Sequence, residues 1–490
     1  FDLDFDTIAE QFTFTRGSEA TFVNAQGLIQ STNELGAEEI TNGDFSNGTN
    51  GWTQGIEVTS FTITNGIATV QGLASSFNTR INQVLAVVIG KTYKITAKIK
   101  SNDGGKYRFR IFDGVYIDIV GNTNSEFQTT TYYHTANTSS LNVFISSWYE
   151  NGTSDFSIDN VSVKEYITAT NTPRLDYSTG SKAFLLEPQS TNLITYSENF
   201  SDSSWLRVGS MNTTDNYTTS PSGQNNATRL QWSNATNYIY QSLSHVGSDF
   251  TLSIYLKSNT DVSQQVRLFM DNGAQSQDVL VTTEWQRFEL RNTATPTQSN
   301  RNTGLIKSGG QVGDLDISIW SAQFEDKSYA TSYIPTSGAS ATRNQELCNN
   351  ATPVINSEEG TLYAEISALA NHNLQRWVGV SDGTTNNSLI IGFLNSNTSY
   401  RIACEIKSGN SSQAFMTYNF GAVEPTFAKI AISYAENNFS LWVNGVEVST
   451  DTSGATPIGL SELNFDRGDG VADFFGNTKD LKYYPKALAD

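Results

Sequence analysis

The sequence predicts an all-β chain of tandem β-sandwiches, and three observations carry that prediction. Apolar residues recur with a period of two in short stretches, as in Tyr93-x-Ile95-x-Ala97-x-Ile99 against Lys94, Thr96, Lys98 and Lys100. That is the pattern of a strand with one buried and one solvated face. The chain also repeats itself. TNGDFSNGTNGWTQG (Thr41–Gly55) is answered by TYSENFSDSSWLRV (Thr195–Val208), GKTYKITAKIKS (Gly90–Ser101) by SDFTLSIYLKS (Ser248–Ser258), EFQTTTYYHT (Glu126–Thr135) by EWQRFELRNT (Glu284–Thr293), and IDNVSVKE (Ile158–Glu165) by IWSAQFED (Ile319–Asp326). The spacing drifts slowly along the pair, as loop insertions produce. Finally, Asn, Thr, Ser and Gly are abundant, Pro is scarce at 9 residues, and no helical pattern exceeds two turns. Such a composition suits short strands joined by polar turns.

In chain order, residues 1–40 form an opening segment in which FTFTRGSEATFV (Phe12–Val23) reads as a hairpin. The first copy runs over 41–166, with Tyr107, Phe109 and Ile111 inward on one strand and Leu141, Val143 and Ile145 inward on another. Residues 167–190 connect. The second copy and its linker occupy 191–343, with Leu252, Ile254, Leu256, Val266, Leu268, Met270, Leu315, Ile317 and Ile319 inward. Several half-buried strands in each copy imply two sheets packed face to face, and a jelly-roll sandwich fits best. Trp52 and Trp205 read as core plugs. Residues 344–490 have another rhythm, with strands at Thr361–Ala368, Trp377–Gly383, Ser388–Leu394 and Tyr400–Lys407. A hairpin within Phe427–Thr450 follows, whose Asn444-Gly445 pair suits a type I′ turn.

Several classes of function are excluded. A net charge of −19 repels phosphate backbones, so no nucleic acid is expected. No run is long and apolar enough for a spanning helix, so no membrane insertion is expected. Cys348, in the linker, and Cys404, in a strand, are too few for a disulfide framework. The three histidines, His134, His245 and His372, lie far apart in sequence and read as solvent or turn residues. With no nucleophile elbow or His-rich metal motif, the chain reads as non-enzymatic.

Sugar binding needs aromatic faces and planar polar groups. Parity places Arg108, Arg110, Phe112, Phe144 and Trp148 on the outer face of the first copy, with Tyr149 adjacent. The second copy offers Tyr255, Arg267, Phe269 and Trp320. Glycan-binding candidates are therefore Arg108, Arg110, Phe144, Trp148, Tyr149, Arg267 and Trp320. The same stripes would serve equally to pack under a neighbouring domain or subunit.

Three resemblances extend this reading. NGDF (Asn42–Phe45), Trp52, GKTYKITAKIKS and SIDNVSVKE (Ser157–Glu165) make the first copy similar to jelly-roll carbohydrate-binding modules of the family 4, 9 and 22 type. The resemblance implies one cofactor, a structural Ca²⁺ held by Asp44 and Asp159; Trp320 replaces the second acid in copy two. The hairpin FSLWVNGVEV and the closing DLKYYPKALAD resemble the concanavalin A-like, laminin-G-type sandwich. The connectors Phe12–Asn33, Thr172–Trp205 and Ser332–Arg343 resemble segments of tailed-bacteriophage tail-fibre or decoration proteins, in which the first two pieces run on continuously. This implies that 12–30 and 174–190 pair as one platform, with copy one spliced between them. It also implies a homo-oligomeric virion protein on an extracellular particle surface, partnered by other virion proteins and cell-surface glycans. A structural decoration or fibre protein, or the accessory region of a secreted polysaccharide-degrading enzyme, remain alternatives.

Overall fold

A computed structural model describes the chain apart from residues 234–235, 245–247, 293–299, 370–374, 395–400, 422–425 and 489–490. Among the described residues, helix is confined to one turn at Ile8–Gln11 and a 3-10 turn at Asp271–Gly273. Two compact units result: one is Asn33–Thr168, the other joins Phe1–Thr32 to Ala169–Asp490.

The first unit is a single antiparallel sandwich. One sheet runs in the order Val115–Asn122, Tyr107–Asp113, Ser140–Ser147, Arg80–Ala86, Thr53–Gln54. The other runs Gln128–Thr135, Thr92–Ser101, Asp155–Ile167, Ile67–Gly72, Val58–Thr64, with Glu34–Glu38 added beside the end of Asp155–Ile167. Tyr93, Ile95, Ala97 and Ile99 interleave with Tyr107, Phe109, Ile111, Leu141, Val143 and Ile145, all buried as their alternation requires. Trp52 plugs this core, stacked 5.4 Å from Phe45, and its Nε1 donates to the Asn42 carbonyl at 3.1 Å. His134 departs from expectation. It is buried in a strand, 2.7 Å from Asp113, whose carboxylate also accepts from the Asn137 and Thr138 amides. Burial opposes the charged form of Asp113, but these donors outweigh it and hold the carboxyl well below its usual range. His245 and His372 lie outside the described residues.

The second copy reproduces both five-strand runs of the first in the same order, without a counterpart of Glu34–Glu38 among the described residues. Its sheets run Leu206–Val208, Tyr238–Ser244, Asn300–Lys307, Gln264–Met270, Gln275–Val281, and Asn212–Thr218, Ala227–Trp232, Leu315–Glu325, Thr251–Ser258, Gln286–Arg291. Trp205 repeats Trp52, 4.8 Å from Phe200, its Nε1 donating to the Tyr196 carbonyl at 2.8 Å. The duplication extends to a defect. Pairing slips just after Asp159 (opposite Lys98) and just after Trp320 (opposite Tyr255). Each slip is a bulge with a left-handed residue, Asn160 at φ 51° and Ser321 at φ 58°.

The third sandwich is wider than 344–490. Its seven-stranded sheet runs Arg174–Asp176, Ala183–Leu186, Gly476–Tyr484, Glu359–Ala368, Ala428–Ala435, Asn438–Val443, Val446–Asp451. The facing sheet runs Ser411–Asn419, Arg401–Ser408, Ser388–Leu394, Arg376–Ser381, Glu462–Asn464. Asn444 and Gly445, at φ 50° and 79°, make the primed turn. Leu3, Ile8, Phe12, Phe14, Phe184 and Leu186 belong to this core, so the opening segment and connector complete the sandwich. Phe12–Val23 is accordingly not a hairpin. Thr13–Thr15 pairs with Leu347–Asn349, while Thr21–Val23 pairs with Ile29–Ser31. Cys348 is thus a buried strand residue, and both thiols are free.

The three connectors converge on a buried charge cluster. Arg16 pairs with Glu346 at 2.7 Å, Arg343 with Glu187 at 2.7 Å, and Arg174 with both Glu187, at 2.9 Å, and Glu346. These five side chains are at most 3% exposed. Arg174 uses every N–H it has: Nε to Glu346, Nη1 to the Thr21 carbonyl at 2.6 Å and the Ser332 hydroxyl at 2.7 Å, Nη2 to both glutamates. Segments 12–33 and 172–190 therefore meet: the Val23 amide donates to Asp176 at 2.7 Å, and the Tyr177 amide to the Val23 carbonyl at 2.9 Å.

Candidate functional site

In the first sandwich, the outward residues of the Val115-to-Gln54 sheet form three rows across the strands. Arg80, Ser146 and Arg108 make the first, Asn82, Phe144, Arg110 and Asp118 the second, and Val84, Asn142, Phe112 and Tyr116 the third. Alternation puts them there, because their neighbours Ile81, Ile145, Phe109 and Val143 fill the core. The loop between Gly72 and Arg80 closes one side with Ser76, Phe77 and Asn78, leaving a cleft of about 300 Å³. That lies at the small end of ligand clefts.

The chemistry is aromatic and cationic. Arg108 lies under the Phe77 ring, 4.3 Å from its centroid, and 5.5 Å from Trp148. Arg80 sits 5.6 Å from Phe144, and Arg110 4.5 Å from Tyr116. Arg110 also forms a two-pronged pair with Asp118 at 2.6 and 3.1 Å. Arg108 is only 2% exposed, and its Nε donates to Ser146 at 3.3 Å. Burial, with help from Arg110, pushes its guanidinium down to about 10, so it stays charged at neutral pH. Phe77 and Tyr116, by contrast, are 47% and 59% exposed.

Arg108, Arg110 and Phe144 therefore meet in one cleft. Trp148 and Tyr149 stand just beyond the strand, stacked at 5.3 Å, with Trp148 also 4.4 Å from the Lys106 ammonium. Trp148 can lie flat because Gly121 opposes Arg108; a Cβ on Gly121 would come within 2.6 Å of the indole. Sequence reasoning missed Arg80, Phe77 and Tyr116. Arg80 could have been found from the period-two stretch Arg80–Ala86, whose Ile81 faces inward.

The second copy does not reproduce the site. Arg267 is paired in the open with Asp278 at 2.8 and 2.9 Å, echoing Arg110 and Asp118. Trp320 is a correction: it lies on the opposite sheet from Arg267 and is 1% exposed. Tyr333 packs 5.0 Å from it, and Ile29 and Val23 of the opening segment close over it. Its outward parity was read correctly, but connector residues cover that side.

Asp44 and Asp159, the two acids of the expected calcium site, each have partners within the chain. Asp44 accepts from the Ser46 amide and hydroxyl at 3.1 and 2.9 Å, which holds its carboxyl below the usual range, and Asp159 is paired with Lys98 at 2.9 Å. Ca²⁺ takes six to eight oxygens, and among the described residues no group of three or more acids, histidines or cysteines is arranged for a metal.

No family model matches the sequence, and no curated protein matches it. Similar solved structures include one titled "CBM4 structure and function", 21% identical over 26% of this chain and 99% of that one, with TM-score 0.22. The N-terminal CBM22-1-CBM22-2 tandem domain from Paenibacillus barcinonensis Xyn10C is 14% identical, covering 61% and 98%, with TM-score 0.22. Domains LG4-5 of the mouse laminin alpha1 chain are 10% identical, covering 59% and 96%, with TM-score 0.21. Likeness at this level says nothing of ligand or mechanism, which rest on the residues of the cleft.

Proposed function

We propose that the chain is a non-catalytic glycan-binding protein whose principal site is the cleft on the first sandwich. One observation carries this reading: the exposed aromatic side chains of Phe77 and Tyr116 line a cleft with a row of guanidinium groups, beside the Ser76, Asn78 and Ser146 side chains. Rings suit the apolar face of a pyranose, and forked donors suit its hydroxyls. Hydrolysis would need two carboxylates across the cleft, and the residues lining this one are three arginines, three aromatics, two serines and an asparagine.

The finer reading is a surface protein of a tailed-phage particle, partnered by other virion proteins. The motif-bearing connectors support it, since Arg16, Arg174 and Arg343, one from each, share a single buried cluster. Adhesion through many weak copies would then gain strength by avidity. A glycan array probed with the full chain and with Tyr116→Ala tests the binding. The expected result is a signal that Tyr116→Ala lowers about tenfold with unchanged thermal unfolding, since the ring is largely exposed. A signal indifferent to Tyr116 would remove the cleft from the account.

A further inference from the structure

We propose that the ligand of this cleft is an acidic glycan, whose carboxylate or sulfate group is received by Arg80 and Arg108. The inference rests on the glycan reading above and narrows it. Three guanidinium groups line the cleft and no carboxylate does, in a chain whose net charge is −19. Only Arg110 is neutralised at hydrogen-bond distance, by Asp118. The nearest approach of Asp118 to Arg108 is 3.8 Å, to Nε, from the oxygen that already accepts from Arg110.

Arg108 is therefore a deeply buried cation with unspent donors. Among the described residues neither its Nη1 nor the Nε of Arg80 has a hydrogen-bond partner; both atoms are shielded from solvent, so the cleft meets these two cations through their other nitrogens. A buried charge left unpaired is costly, and proteins seldom keep one without a counterion. Around Arg108 the chain sets the Phe77 and Trp148 rings, and the acid within ion-pair distance, Asp118 at 3.8 Å, is shared with Arg110. A guanidinium fork matches a planar carboxylate, and serves a sulfate by the same charge-assisted hydrogen bonds. A uronic acid or sulfated sugar brings both the anion and the pyranose face that the rings suit.

Isothermal titration of the full chain with hexagalacturonate, a κ-carrageenan hexasaccharide and cellohexaose tests this. At least one acidic oligosaccharide should bind about tenfold more tightly than cellohexaose, the worth of one charge-assisted hydrogen bond. That affinity should fall as NaCl rises from about 0.05 to about 0.5 M. Whichever acidic probe wins identifies the anion. Arg108→Met should abolish the preference; because Arg108 is buried, Arg80→Gln, at a half-buried position, is the second variant and should reduce it about tenfold. Cellohexaose binding as tightly as both acids, or a preference that survives Arg80→Gln, would overturn the inference while leaving the glycan site standing. No binding of any glycan, here or on the array, would overturn both.

Discussion

Replacing Arg174 by Met tests whether the connectors are a built platform. Arg174 is fully buried and donates all five of its hydrogen bonds, to Glu346, Glu187, Ser332 and the Thr21 carbonyl. Methionine fills similar length without charge, leaving Arg16 and Arg343 as the cations for two buried carboxylates. Removing one member of a buried ion cluster costs about 3–5 kcal/mol. Arg174→Lys keeps the charge but not the fork, and should lose more than half of that. With a urea m-value of roughly 3 kcal/mol/M, the full loss moves the midpoint down by about 1–1.7 M. The assay is urea unfolding followed by tryptophan fluorescence and limited proteolysis. The protein has two compact units, so its transitions are resolved separately. Only the transition of the unit containing 1–32 and 169–490 should move, while that of 33–168 stays in place. A cost under about 1 kcal/mol, or a shift in both transitions, would refute the reasoning.

The same cluster makes stability depend on acid. Burial alone would raise Glu187, but Arg343 and Arg174 outweigh it and hold the carboxyl near 2, against an ordinary 4.5. A depressed carboxylate contributes above its unfolded value and loses that contribution as pH falls, so about 3 kcal/mol should disappear between pH 4.5 and about 2. Glu187→Gln should flatten the stability curve in that window; an unchanged curve would be contrary evidence. Burial pushes the Cys348 thiol well up and the Cys404 thiol up to about 12. Both should therefore resist a thiol reagent at pH 8 until denaturant is added, and prompt labelling of the native protein would contradict their placement. Gly121→Val should cost about 1–3 kcal/mol by driving a side chain into Trp148. The Trp148 emission should shift with it, and a silent substitution would mean the indole does not lie on the sheet.

How much could be read from residues alone follows from the physics of each element. Every inward position named from period-two patterns in the two copies is in its core, because a half-buried strand fixes parity locally. The doubling of the sandwich was equally legible, since the Phe45–Trp52 pair of one core is repeated as Phe200–Trp205 in the other. Parity also brought Arg108, Arg110 and Phe144 together, as they lie on adjacent strands of one sheet. It could not say which strand is neighbour to which. Arg80 reaches the site only through the pairing of Arg80–Ala86 with Ser140–Ser147. Phe77 comes from an irregular loop, and Tyr116 from a strand, VYIDIV, whose alternate positions are both apolar enough to blur the pattern. Trp320 shows the opposite failure, an outward residue covered by chain some 290 positions away at Ile29. The opening segment misled for the same reason: Phe14 pairs with Cys348, and local sequence carries no mark of a partner so remote.

The central claim is that a sugar binds across Arg80, Arg108, Phe144 and Tyr116 on the first sandwich. The most direct measurement is a crystal structure of the full chain with the tightest glycan from the array. Electron density for a pyranose is expected in that cleft, its polar groups within hydrogen-bond distance of Arg80 or Arg108. Sugar density elsewhere on the chain, with the cleft filled only by solvent, would contradict it.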